Sequence, residues 1–337
     1  MGRFTVALAT GAGLALIAAS GAAAAPVTNG LGEPTVTATY PIDESPTLIR
    51  YAYDAAWVAT KGGTLLKLSA GDAEPASTAR FPGTIVDATE GYGRVWVLWR
   101  KDARSYVASV NPKTGRIVGR ATRTRVPGRP ARIRAGAGAL WVAPLGNKVT
   151  ARGPLTRIDR KRLRAVTRRW MKPTDFFVER GRIYSFNGLK LVTRRPGDLR
   201  VLRRVSSFSA FQGVTYGQGN FWTSSVGTTG LGGVTRISPT KGRDEILEFP
   251  TDFDVNVGGS IVVGGGVVYS TWQIWPQEAE PQGASGWGLV GYAANGSVTG
   301  HVGLPIDGTP SIAYGAASLW VTDPGENRVL QIAPPTS

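Results

Sequence analysis

Apolar and polar residues alternate along most of this chain in short runs, the period-two pattern of strands with one buried face. One unit recurs, a glycine-marked turn followed by an apolar–aromatic pair that opens a strand. Its copies are Ala55-Ala56-Trp57-Val58, Gly93-Arg94-Val95-Trp96-Val97, Gly138-Ala139-Leu140-Trp141-Val142 and Gly181-Arg182-Ile183-Tyr184. They continue with Gly219-Asn220-Phe221-Trp222, Gly266-Val267-Val268-Tyr269 and Ala317-Ser318-Leu319-Trp320-Val321. A short apolar strand precedes the unit, as in Val214-Thr215-Tyr216-Gly217 and Ile312-Ala313-Tyr314-Gly315. A third strand follows it, such as Leu65 to Leu68, Val107 to Val110, Leu155 to Ile158 or Val234 to Ile237. A fourth ends in an apolar residue plus proline at Phe81-Pro82, Val126-Pro127, Phe249-Pro250 and Leu304-Pro305. Proline suits an outermost strand, whose edge has no neighbour to receive its N–H.

The motif aromatics stand at 57, 96, 141, 184, 222, 269 and 320, spaced by 39, 45, 43, 38, 47 and 51 residues. Self-similarity at that period, with four strands per repeat, predicts an all-β, seven-bladed β-propeller. The last repeat runs out after Val329 to Ile332, one strand short, while Thr35 to Tyr40 reads as an orphan fourth strand followed by Pro41. Pairing the two would complete the last blade, close the ring and remove the edges an open sheet exposes. A single propeller domain is expected over 35–334, with 26–34 a flexible lead-in and 335–337 a tail. The motif aromatics read as inter-blade packing, because they recur at one position in every blade.

Composition adds to this picture without redirecting it. Of 337 residues, 42% are hydrophobic, enough for an extended core, and the 45 Gly and 22 Pro suit many tight turns. There is no Cys, which excludes disulfides, a thiolate nucleophile and thiolate metal sites. At the N-terminus, Arg3 precedes an apolar run from Phe4 to about Ser20 and the small residues Ala23-Ala24-Ala25. That pattern predicts a secretory signal peptide over 1–25, cut after Ala25, and hence a secreted or wall-associated protein. The alternative, an uncleaved membrane anchor, is weakened by the short, Gly/Ala-rich run. No transmembrane span is expected after cleavage, and a monomer is expected.

Gly138 to Val142 with Thr156-Arg157-Ile158-Asp159, and Pro310 to Asp323, resemble the bacterial propellers with YVTN- or NHL-type repeats. In those, a G-x-L-W-V strand is followed by an R-I-D strand and a T-G turn. The blade repeat is also similar to that of the streptogramin (virginiamycin B) lyases. The resemblance covers nearly the whole mature chain and implies a scaffold rather than a chemistry. A lyase of that type would need paired His and Glu residues around a metal. This chain has one His, His301, near the end of a fourth strand, so the His set is missing. The metal-binding Glu/Asn/Asp set of sugar-lactonase propellers has no recognisable counterpart either.

Ligands of propellers usually sit over the channel, on the face carrying the connections into each innermost strand and those linking second to third strands. The longest second-to-third connection is read as Trp272 to Gly288, with Trp272, Trp275, Trp287, Glu278 and Glu280 as ligand-binding candidates. A loop folded onto its own blade is the plainer alternative. Asp252, Asp254 and Asn256 precede the sixth blade and Asp307 the seventh. With Glu278 and Glu280 they could hold a hard divalent cation such as Ca²⁺, serve acid–base chemistry in a lyase or hydrolase, or form a solvated acidic rim. No cofactor is required by any motif.

Charge is distributed unevenly. Lys and Arg number 39 against 23 Asp and Glu, a net +16, and residues 94–204 hold 30 of the former but only 5 of the latter. Arg123, Arg125, Arg129, Arg132 and Arg134 form one cluster, and Arg157, Arg160, Lys161, Arg162 and Arg164 another. Such a sector attracts polyanions, and Arg132, Arg134, Arg160, Arg162 and Arg164 are the anion-binding candidates. Arg outnumbers Lys 30 to 9, so a genomic bias toward Arg is the competing explanation. No nucleic-acid reader motif is recognisable, and the expected partner is a ligand or protein of open identity, with anionic wall polymers, polysaccharides and anionic lipid headgroups as candidates. The leading expectation is an exported, non-enzymatic propeller that binds a ligand or partner through its loop face, the alternative being a lyase or hydrolase with an acidic site at blades six and seven.

Overall fold

The computed structural model describes residues 33–72, 74–118, 124–126, 130–143, 153–161, 164–171, 175–187, 190–206, 210–226, 232–240, 244–248, 255–274 and 286–335. The expected signal peptide lies outside them. Strand β1 (Val36–Pro41) comes first in the chain but belongs to the last blade. Blade one is β2 (Pro46–Ala52), β3 (Ala55–Thr60), β4 (Thr64–Leu68) and β5 (Ser77–Arg80). Blade two is β6 (Thr84–Gly91), β7 (Arg94–Lys101), β8 (Arg104–Val110) and β9 (Thr124–Val126). Blade three is β10 (Arg132–Gly136), β11 (Ala139–Ala143), β12 (Gly153–Ile158) and β13 (Ala165–Met171). Blade four is β14 (Asp175–Glu179), β15 (Arg182–Asn187), β16 (Lys190–Arg194) and β17 (Val201–Ser206). Blade five is β18 (Ala210–Gly217), β19 (Asn220–Val226), β20 (Gly232–Ile237) and β21 (Asp244–Glu248). Blade six is β22 (Val255–Gly264), β23 (Val267–Ile274), β24 (Gly286–Ala293) and β25 (Val298–Leu304). Blade seven is β26 (Ile312–Gly315), β27 (Ser318–Asp323) and β28 (Arg328–Ile332), completed by β1. Seven antiparallel four-stranded blades in a ring match the expected propeller, including the divergent fourth blade around Tyr184.

The core is seven seams rather than one centre, and each seam is built around a motif aromatic of one blade set against its neighbour. Trp57 of blade one packs with Ile85 and Val97 of blade two, and Trp96 of blade two with Ile133 and Leu140 of blade three. Trp141 meets Phe176 and Val178, Tyr184 meets Phe221 and Ile237, and Trp222 meets Val268 and Val290. Tyr269 joins Ile312 and Leu319, and Trp320 joins Ile49 and Val58, which brings the series back to blade one. The indole has a second task. Trp57, Trp96, Trp141, Trp222 and Trp320 donate their ring N–H at 2.9–3.2 Å to the carbonyls of Ala52, Gly91, Gly136, Gly217 and Gly315, the last residues of the innermost strands. A buried indole needs such a partner, and the strand end needs an anchor. In blades four and six a tyrosine replaces the indole; burial, with Tyr314 adding to it, pushes the Tyr269 hydroxyl up to about 12.

Turn chemistry is equally regular. In all seven blades the two residues between the innermost and second strands have φ between +46° and +80°, the type I′ hairpin whose twist suits antiparallel strands. Gly93, Gly138, Gly181, Gly219 and Gly266 hold the second position, and a methyl group there would touch nothing within 4 Å. The backbone conformation, not space, calls for glycine. Ala316 and Ala317 of blade seven adopt the same conformation without it. One residue before the turns of blades six and seven the reason reverses: a Cβ on Gly264 would overlap the Tyr314 ring, and one on Gly315 the Tyr51 ring, both in the next blade. Small residues at these strand ends let neighbouring blades meet.

The ring closes as expected. β1 pairs antiparallel with β28, Thr39 opposite Leu330 and Tyr40 opposite Val329. Main-chain bonds at 2.9 Å, Ala333 N–H to Thr35 and Ile42 N–H to Asn327, fasten both ends of that ladder. Tyr40, 2% exposed, stacks on Trp320 with centroids 5.3 Å apart and donates its hydroxyl at 3.0 Å to Gln331 Oε1. Truncation at this point, Tyr40→Ala, is expected to cost about 3–5 kcal/mol, and limited proteolysis should show the first and last blades opening before the others. At matched turn positions, Ala317→Gly should stabilise and Gly266→Ala destabilise, each by about 1 kcal/mol. Denaturant midpoints would read both, and equal signs would contradict the backbone argument.

Candidate functional site

The innermost strands β2, β6, β10, β14, β18, β22 and β26 converge on an axial channel enclosing about 330 Å³. Because strands alternate in direction, the connections between blades and those joining second to third strands emerge on one face, the loop face. The first-to-second and third-to-fourth turns emerge on the other, the turn face. The two faces differ in chemistry.

Half-way along the channel, blades one to four are tied by ions. A register shift between Ile85 and Asp87 sets Asp87 into the seam, where it is fully buried. Its carboxylate accepts from Arg50 Nη2 of blade one, and from Arg134 Nη1 and the Ile133 N–H of blade three, each at 2.9 Å. Arg134 Nη2 lies 3.6 Å and Arg132 Nε 3.7 Å from the carboxylate of Asp175 in blade four. Arg50 also donates to the carbonyls of Ala88 and Ile49, at 3.2 and 3.1 Å. Burial by itself would raise the Asp87 carboxyl, yet Arg134, Arg50 and Arg132 with the Ile133 N–H hold it below the ordinary aspartate value of 3.8. Burial, joined by the like charges of Arg134 and Arg132 and opposed by Asp87, pulls the Arg50 guanidinium down. Three cations sharing two carboxylates leave one positive charge in excess.

In blades five to seven serine and threonine hydroxyls brace the innermost strands, and blade seven adds an ion pair, Arg328 Nε to the buried Asp323 carboxylate at 2.8 Å. Ser224 Oγ accepts from Gly213 N–H at 2.9 Å and donates across the seam to the Gly259 carbonyl at 3.2 Å. Thr271 and Thr322 hydroxyls accept from Ser260 and Ser311 N–H at 2.9 and 2.8 Å. Toward the turn face the channel wall changes to Tyr51, Tyr216 and Tyr314 with Glu90 and Glu179. Burial first, then the negative charge of Glu90, pushes the Glu179 carboxyl above its ordinary value, against the opposing pull of Arg180 and Arg134.

Several expected site residues stand elsewhere than the sequence reading places them. Trp272 is on β23 and fully buried with Trp222, and Trp287 is on β24, 8% exposed, in the seam with blade seven. Both are packing residues. The connection between their strands is 275–285, so Trp275, Glu278 and Glu280 lie outside the described residues, as do Asp252, Asp254 and Arg162. Asp307 is exposed between β25 and β26, its N–H bound at 2.9 Å to the buried Asp323 carboxylate. His301 sits on the outermost strand β25, opposite Val290. Arg132 and Arg134 are not surface cations but members of the channel network. Arg160 and Arg164 are exposed on the third-to-fourth turn of blade three, hence on the turn face. Arg160 lies over the ring of Tyr92, 4.6 Å from its centroid, and thereby links the turns of blades two and three. Asp87, Asp175, Arg50, Glu90 and Glu179 escaped the sequence reading. The available signal was a charged residue inside an innermost-strand run, as in Ile85-Val86-Asp87-Ala88.

Fold and site together define a seven-bladed β-propeller with an ion-braced axial channel. It matches no sequence-family profile and no curated protein. Solved structures share the fold. The Cps50 (Swd1) β-propeller domain of Myceliophteria thermophila superposes with a TM-score of 0.65 at 9% identity, over 89% of this chain and 99% of that one. The computationally designed Ika8 protein gives 0.56 at 11% identity over 90% and 100% of the two chains. Hydrazine synthase of Kuenenia stuttgartiensis gives 0.56 at 14% identity over 74% and 76%.

Asp87→Asn removes one partner of two guanidiniums and should destabilise the protein by about 3 kcal/mol at neutral pH. The carboxyl titrates lower when folded than when unfolded, so its contribution is complete above about pH 4 and drains away as pH falls further. Denaturant midpoints recorded across that range should fall less steeply with acid for the variant than for the parent.

Proposed function

We propose that this chain is an exported, non-catalytic propeller that binds an anionic polymer, such as an acidic wall polymer or polysaccharide, through the turn face of blades two to four. One observation carries the reading: exposed cations from consecutive blades converge on that face around exposed aromatic rings. Arg160, Lys161 and Arg164 of blade three and Arg180 and Arg182 of blade four are exposed there. Tyr53 and Tyr92, 40% and 39% exposed at the turns of blades one and two, flank them. Cations in solvent act on a polyanion by long-range attraction and counterion release, and flat rings add stacking surface for sugars. The signal-like N-terminus supports export. The blade motif, which resembles YVTN- and NHL-type repeats, supports a scaffold whose binding lies in its surface.

Retention on immobilised heparin or teichoic acid across a salt gradient tests the reading. Elution above physiological salt is expected, shifting to lower salt with each of Arg160→Glu, Arg164→Glu and Arg180→Glu. Elution near physiological salt that ignores those reversals would overturn it.

A further inference from the structure

The channel itself carries a second inference, independent of the basic rim. Its wall brings carboxylates together within the basic sector. Of the five acidic residues within 94–204, Asp175 and Glu179 both lie on innermost strand β14. Blade two adds Asp87 and Glu90 from β6. Around the axis, four carboxylates thus face Arg50, Arg132 and Arg134, the reverse of the chain's overall balance of +16.

Asp87 and Asp175 are occupied by the arginines. Glu90 and Glu179 are different: among the described residues neither carboxylate forms an ion pair or a side-chain hydrogen bond. Both open onto the same cavity, at its turn-face end, Glu90 one residue before the end of β6 and Glu179 at the end of β14. Tyr51, Tyr216 and Tyr314 occupy the position one residue before the end of β2, β18 and β26, so three rings share that level of the channel. Two of them are held by the glycine seats described above, and Tyr314 also stacks on Tyr269 at 5.8 Å. The rings are braced from behind while remaining partly exposed.

The chemistry of this wall discriminates between ligand types. An anion would meet Arg50 and Arg134, whose N–H groups already serve Asp87 and main-chain carbonyls. A bare divalent cation needs six or more oxygens, and no group of three His, Asp or Glu able to hold one occurs among the described residues. A large, weakly hydrated organic cation needs less: one or two carboxylates for its charge and aromatic rings for its faces. The half-open channel, about 330 Å³ in all, has room for a small molecule of that kind.

We propose that the turn-face end of the axial channel binds an organic cation, a quaternary ammonium or guanidinium group, between Glu90 and Glu179 and against the rings of Tyr51, Tyr216 and Tyr314. The like charge of Glu90 and the burial of Glu179 are then relieved when the cation enters.

The test titrates the full chain with choline and with butylguanidinium by calorimetry, and with 3,3-dimethylbutanol, the uncharged isostere of choline. Saturable binding of at least one cation in the millimolar range or tighter is expected, with none for the alcohol. Glu179→Gln and Glu90→Gln, close isosteres, should each weaken the cation about tenfold. Tyr216→Leu should weaken it and Tyr216→Phe restore it, because the ring rather than the hydroxyl is required. Melting of the Gln variants at or above the parent's temperature would show that folding is not the cause. Heparin retention should be the same for Glu179→Gln as for the parent, so failure at the rim and failure in the channel are separate results. No saturable cation binding, equal binding of the alcohol, or indifference to both Gln substitutions would overturn the proposal.

Discussion

A four-stranded blade has two apolar faces and no means of covering either by itself. Everything in this structure follows from the seam by which one blade covers the next. At each seam a motif aromatic fills the gap, and in five blades its indole N–H also holds the end of the innermost strand. Losing one such ring would cost about 3–5 kcal/mol, and seven seams repeat the arrangement. The seam also explains small residues at strand ends, because Tyr51 and Tyr314 can reach the axis only over Gly315 and Gly264. The same requirement forces closure: blade seven needs a fourth strand and a neighbour, and β1, with Tyr40 stacked on Trp320, supplies both.

Packing the blades so tightly brings seven innermost strands together, and with them whatever polar groups they carry. Main-chain groups at the starts of these strands need partners. Blades five to seven use Ser and Thr hydroxyls for this, and blades one to four use Asp87, Asp175 and three arginines. A buried ion network gives little net stability over an apolar replacement, but it is intolerant of losing one member. Its effect here is to fix four blades in register around the axis while occupying both of its carboxylates. That leaves the channel's chemistry to Glu90, Glu179 and the tyrosines.

Charge is thereby sorted in part by radius. Two of the five acids of the basic sector, Asp175 and Glu179, lie on the axis with Asp87 and Glu90, and the exposed cations, Arg160, Lys161, Arg164, Arg180 and Arg182, lie on the turns around it. The turn face therefore presents a basic rim around an acidic, aromatic mouth. Cations in water act at long range on a large polyanion, whereas two half-enclosed carboxylates act only on what enters the channel.

Most of the architecture was legible in the sequence. Blade number, strand order, the packing role of Trp57, Trp96, Trp141, Trp222 and Trp320, and the closing strand at Thr35–Tyr40 could all be read, because a repeat writes the same local constraint seven times. Residues that depart from the repeat were harder to place. Trp272 and Trp287 look like loop aromatics, since periodicity does not say how far a strand continues past its motif; the ladder between β23 and β24 extends far enough to bury both. Arg132 and Arg134 look like part of a basic patch, because composition counts charges without their partners. Asp87 and Asp175, brought in by neighbouring blades, turn them inward. Local patterning thus determined which strands form and that they close into a seven-fold ring. Only the tertiary structure decided which charges meet across a seam, because those contacts join residues some forty positions apart whose pairing no local pattern records.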